Sequence, residues 1–139
     1  MTAADDDRSE HFEIQLHGQI LEVKFLSPQL FEHLVMNEVD DELNATVRQH
    51  HPRHIVFDFA SVSFCSTSII NALLAVRRKV TRDGGEVALA DLQTAVRRAF
   101  RVLNLDTVFL VCASVEDALA ELQRLDDGED TADEPLKSE

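Results

Sequence analysis

The sequence predicts an α/β domain with a mixed, largely parallel sheet of about five strands and about four helices, and three observations predict it. The 139 residues are 45% hydrophobic, which suffices for one buried core. Near the start, two runs of alternating apolar residues flank His17-Gly18-Gln19, the pattern of a hairpin. From Ile55 onward, strand-like apolar runs alternate with segments of helical period, and such units lay their strands in parallel.

Phe12, Ile14 and Leu16 alternate with polar residues and form the first strand, and Ile20, Leu21, Val23 and Phe25 form the second. Ser27 before Pro28 resembles a helix start, but residues 28–35 keep no clean period and are expected to be a connector. From Asn37, Val39, Leu43 and Val47 recur at a spacing of four, with Met36 just outside, and His50, His51 and Pro52 end that helix. Ile55, Val56, Phe57 and Phe59 make a near-continuous apolar run, as in a strand covered on both faces. Ile69, Ile70, Leu73, Leu74, Val76 and Val80 mark one face of a helix over 67–83, closed by Gly84-Gly85. Val87 to Ala90 is a strand, Leu92 to Leu103 a helix and Val108 to Val111 a further strand. Ser114 with Asp117 three residues later resembles a capping box that opens a last helix through Ala118, Leu119, Leu122 and Leu125. No internal repeat is evident.

The net charge of −13 is unevenly placed. Residues 1–10 and 126–139 together carry 11 acids and 2 bases, whereas 11–125 carries 15 acids and 11 bases. Dense like charge with little apolar content cannot offset the entropy of ordering, so 1–10 and 126–139 are expected to be disordered acidic tails around a domain at 11–125. The acidity disfavours nucleic acid and anionic membrane surfaces as direct partners. No apolar run can span a bilayer, Met1 to Glu10 lacks the features of a signal peptide, and two cysteines fit a reducing compartment, so a cytoplasmic protein is expected.

Little in the chain points to catalysis. Gly18, Gly84, Gly85 and Gly128 form no phosphate-cradling loop, and no serine sits in a nucleophile elbow. A phosphatase loop would need an arginine six residues beyond Cys65, where Asn71 stands. Cys65 is expected to be a small buried thiol. His50, His51 and His54 cluster without the further ligands of a zinc motif, so no metal is expected, and His50 and His51 suit a helix C-terminus. Asp58, the one acid in an apolar strand, is explained by capping or a hydrogen bond to neighbouring backbone at least as well as by acid–base chemistry. The sharpest feature is Ser66-Thr67-Ser68 at the start of the 67–83 helix. Ser66 is expected to cap that helix through Oγ, which leaves the other hydroxyls at a surface turn. A phosphate there would meet the positive end of a helix.

The segment HIVFDFASVSFCSTSIINALLAVRRKVTRDGGEVALADLQTAVRRAFRVLNLDTVF, His54 to Phe109, combines the buried strand, a V-x-F turn at Val62 to Phe64 and the hydroxyl cluster. It continues with the helix closed by Gly84-Gly85 and a helix ending in Leu103-Asn104-Leu105. In this order and spacing the chain resembles a STAS domain of the anti-sigma factor antagonist family, over about 11–125. The resemblance implies a STAS-type fold, a non-catalytic role and no cofactor. It further implies a protein partner, an anti-sigma factor serine kinase of the histidine-kinase-like ATPase type, with a serine phosphatase acting in reverse. By position the phosphoacceptor is Thr67, with Ser66 and Ser68 as alternatives, and the partner surface comprises Val62, Phe64, Ser66, Thr67, Ser68 and Asn71. Family members commonly carry Asp before the acceptor and Gly two after it, where this chain has Ser66 and Ile69. A scaffold or sensor subunit that is never phosphorylated is the alternative, with a small enzyme or nucleotide binder third. Seven bases in 77–101 are expected to be mostly a solvated helix face; as a patch they would orient a partner during encounter.

Overall fold

The first two apolar runs fold back on one another around Gly18, whose φ of +65° suits the tight turn. β1 (Phe12–His17) pairs antiparallel with β2 (Ile20–Phe25), from Phe12 opposite Phe25 to His17 opposite Ile20. The computed structural model describes residues 11–26, 29–30 and 33–132. Beyond the hairpin, β4 (His54–Asp58), β6 (Val87–Ala90) and β7 (Leu110–Cys112) join in parallel, giving one five-stranded sheet in the order β1-β2-β4-β6-β7. Between them in the chain, β3 (Gln29–Leu30) and β5 (Phe64–Cys65) form a separate parallel pair.

Alternation along the central strands sorts side chains to two faces. Leu21, Val23, Ile55, Phe57, Val87 and Leu89 share one cluster, into which α1 (His33–His50), α2 (Thr67–Arg82) and α3 (Thr94–Val102) send Leu43, Leu73, Val76 and Phe100. Aromatic rings bind this layer: Phe25 and Phe57 stack at 5.7 Å, and Phe59 meets Phe25 edge-on at 5.4 Å. On the other face Ile20, Val56, Ala88 and Ala90 meet Ala118 and Leu122 of α4 (Val115–Ala132). Among the described residues no helix is long and apolar enough to cross a membrane.

Two predicted helix-end signals, the glycines after α2 and the serine before α4, act as read. Gly84 takes φ +90° and donates its N–H to Thr81 O, while the Gly85 N–H reaches Val80 O at 2.9 Å, closing α2. Ser114 Oγ accepts the Asp117 N–H at 3.1 Å and caps α4.

Several boundaries differ from the sequence reading. The expected connector at 28–35 contains β3 and the first turn of α1, which begins at His33 rather than Asn37; a two-residue strand has no period to detect. Leu92 precedes α3 instead of opening it, and 105–107 is a 3₁₀ turn, so the last strand starts at Leu110 rather than Val108. α4 continues past 125 to Ala132, with Asp126 held by side-chain bonds, so the stretch 126–132 of the expected C-terminal tail is helical. Residues 1–10 and 133–139, the rest of the two expected tails, lie outside the described residues.

Candidate functional site

The loop from β4 to α2 is built on a buried footing. Asp58 Oδ1 accepts the Ala60 N–H at 2.9 Å, the local backbone role expected of it, and starts the turn. The Phe59 N–H donates to Ala90 O at 3.0 Å and continues the β4–β6 ladder by one bond. The Val62 N–H closes back on Phe59 O, and Gln93 Nε2 donates to Ala60 O at 2.9 Å, so the loop is tied to the segment before α3.

Val62 is fully buried and packs in the core, which corrects its expected place on the partner surface: the V-x-F turn points Val62 inward and Phe64 outward. Phe64 is 53% exposed although its backbone pairs with Gln29.

Ser66 occupies the N-cap position of α2 with φ −89° and ψ 168°, and its carbonyl accepts the Ile70 N–H at 3.2 Å. Its side chain makes no cap hydrogen bond, which corrects the expectation that Oγ would cap the helix. Thr67, Ser68 and Asn71 are exposed, and Thr67 and Asn71, four apart on a helix, share a face. Ile69 and Ile70 turn inward, so the isoleucine at 69 adds no bulk to the surface. The exposed set is therefore Phe64, Thr67, Ser68 and Asn71, with Ser66 half-buried beside them.

The other chemical candidates lie elsewhere. Burial pushes the Cys65 thiol up to about 12, the reverse of an activated nucleophile. His50 ends α1 and His51 follows at φ +48°, whereas His54 is buried at the far end of β4. Among the described residues no group of three or more His, Cys, Asp or Glu is placed to hold a metal ion.

Sequence reasoning missed a second apolar exposure. α3 packs against β5, and its end leaves Val102 at 75% and Leu103 at 53% exposed. The signal was present: Ala99-Phe100-Arg101-Val102-Leu103 holds more apolar residues than one helix face can bury. Arg97, Arg98 and Arg101 stand exposed on the same helix.

The sequence matches the pattern of the STAS domain over residues 11–118. The fold is similar to that of an anti-sigma-factor antagonist (STAS) domain protein from Planctomyces limnophilus, with TM-score 0.72 and 18% identity over 80% of this chain and 96% of that one. It is also similar to an anti-sigma factor antagonist from Mycobacterium paratuberculosis, with TM-score 0.70 and 20% identity over 81% and 92% of the two chains. The anti-sigma factor antagonist SpoIIAA in its unphosphorylated form aligns with TM-score 0.69 and 18% identity over 81% and 96% of the two chains. The Bacillus cell fate determinant SpoIIAA in its phosphorylated form aligns with TM-score 0.61 and 18% identity over 79% and 97%. The structural likenesses establish a shared fold, and the sequence match, which spans most of the chain, establishes the family. This chain belongs to the STAS domain family.

Proposed function

We propose that this STAS domain is a non-catalytic regulatory module that binds an anti-sigma factor serine kinase of the histidine-kinase-like ATPase type in the cytosol, and that phosphorylation of Thr67 releases it. The observation that carries the reading is the placement of Thr67, exposed as the first residue of α2 close in sequence to the projecting Phe64 ring. A phosphate there adds nearly two negative charges at the end of a helix that favours anions, so the fold tolerates it. Charge and bulk at the centre of a contact surface nevertheless oppose docking, which makes the modification a switch.

In the transfer step Thr67 Oγ1 attacks the γ-phosphorus of ATP, the new O–P bond forms as the bond to ADP breaks, and the hydroxyl proton passes to the kinase. A serine phosphatase resets the switch by hydrolysing the ester. The occurrence of the similar SpoIIAA in unphosphorylated and phosphorylated forms supports the reading. One residue favours a second reading, a scaffold or sensor subunit that is never phosphorylated. Ser66 is neutral where the family commonly places an acid, which changes the charge a kinase meets.

Titration of the full chain against the kinase in a calorimeter separates the readings. Phe64→Ser and Thr67→Asp are each expected to weaken binding by roughly tenfold or more. Wild-type affinity in both would place the contact elsewhere and reject this surface.

A further inference from the structure

We propose that the groove between the C-terminal ends of α1 and α2 is a binding site for a small soluble phosphate ester. The groove has a volume of about 520 Å³, within the range of roughly 300–1,000 Å³ that takes small molecules. Arg48, His51, Arg53, Lys79 and Arg82 line it, against the single carboxylate of Asp83. This concentration of basic side chains stands on a chain whose net charge is −13.

Helix electrostatics explains part of the cluster, because Arg48, Lys79 and Arg82 lie near the negative ends of their helices. It does not explain why Arg53, from the segment entering β4, lines the same cavity. Two of the cations are already positioned: Lys79 Nζ donates to Asn44 Oδ1 at 2.9 Å, and Arg53 Nε donates to Asp126 Oδ1 at 2.9 Å. Arg48 and Arg82 are exposed and form no ion pair with a described carboxylate, so both can turn to a ligand. Val47 and Val80 give the groove an apolar wall suited to the organic part of an ester. Charge-assisted bonds from side chains here do what a glycine-rich loop does elsewhere, which is why the lack of such a loop does not exclude a phosphate ligand.

The site stands apart from the hydroxyl cluster. α2 has 16 residues and carries Thr67 at one end and the groove at the other, about 24 Å away at 1.5 Å per residue. The inference does not depend on phosphorylation of Thr67.

The test is amide-shift mapping of the full chain titrated with pyrophosphate and with glycerol phosphate at low salt. Saturable shifts confined to residues 48–53 and 79–85 are expected, weakened by added salt. The double variant Arg48→Ala/Arg82→Ala should lose roughly tenfold or more in affinity, while Arg98→Ala on α3 should bind like wild type. Thermal unfolding verifies that the variants remain folded, and the wild-type map stands without them. Absence of saturation, shifts centred on 66–71, or equal affinity in the double variant would overturn the site. Cosedimentation with phosphatidylglycerol vesicles would overturn the assignment to a soluble ligand.

Discussion

His54 and Asp126, 72 residues apart, meet at 2.7 Å and tie the start of β4 to the last helix. His54 Nδ1 accepts the Glu86 N–H at 3.0 Å, so its proton resides on Nε2 and is donated to Asp126 Oδ1. Arg53 Nε donates to the same oxygen at 2.9 Å. Asp126→Ala would leave the Nε2–H of a side chain only 3% exposed without its acceptor, which should cost about 1–3 kcal/mol in urea unfolding. Asp126→Asn keeps an acceptor oxygen and should cost less. Equal losses in the two variants would mean that the hydrogen bond is not what stabilises the junction.

The same junction sets an acid dependence. Burial pulls the Asp126 carboxyl upward, but the hydrogen bonds from His54 and Arg53 outweigh it and hold the group below its usual 3.8. A lowered folded pKa means that the contribution is complete above about 3.8 and disappears as pH falls through the folded value. The stability gap between wild type and Asp126→Ala should therefore narrow, without closing, over the acid range below about pH 4, because the protonated carboxyl still offers His54 an acceptor oxygen. A gap that stays constant over that window would show that the carboxylate charge plays no part.

Adjacent glycines at the end of α2 make a contrasting pair. A Cβ on Gly85 would lie 1.6 Å from Arg53 O, whereas one on Gly84 meets nothing within 4 Å and suffers only from φ +90°. Gly85→Ala should cost about 2 kcal/mol or more, because the backbone entering β4 must move. Gly84→Ala should cost about 1 kcal/mol. Thermal unfolding of both variants gives the order, and the reverse order would contradict this packing.

Cys65 should be inert in the folded chain. With burial holding its thiol near 12, almost no thiolate exists at about pH 8, and iodoacetamide should label it far more slowly in native protein than in urea. Cys112, also raised by burial and then by Glu121 and Asp117, should follow the same trend. Rapid native labelling of Cys65 would reopen a nucleophilic role.

What was legible in the sequence was whatever a local pattern encodes. Alternation through Phe12, Ile14 and Leu16 and the turn at Gly18 disclosed the hairpin, and the apolar run at Ile55 disclosed the central strand. Ser114 and Gly84 marked helix ends by chemistry that acts within a few residues. What escaped depends on distant partners. β3 exists only because Phe64–Cys65 lies beside it, and Asp126 reads as tail until Arg53 and His54 are placed opposite. At the candidate site, exposure of Phe64, Thr67, Ser68 and Asn71 is the part that helical and strand geometry determine. The inward turn of Val62 and the missing Ser66 cap follow from the packed loop, which no short-range rule specifies.

A switch at Thr67 is read out by phosphosite mapping. The full chain is incubated with ATP and its anti-sigma factor kinase, then analysed by mass spectrometry with the kinase affinity measured before and after. The expected result is a single phosphate on Thr67, with affinity reduced by roughly tenfold or more, and neither change in Thr67→Ala. A phosphate on Ser66 or Ser68 instead, no phosphate at all, or full affinity after modification of Thr67 would contradict the account.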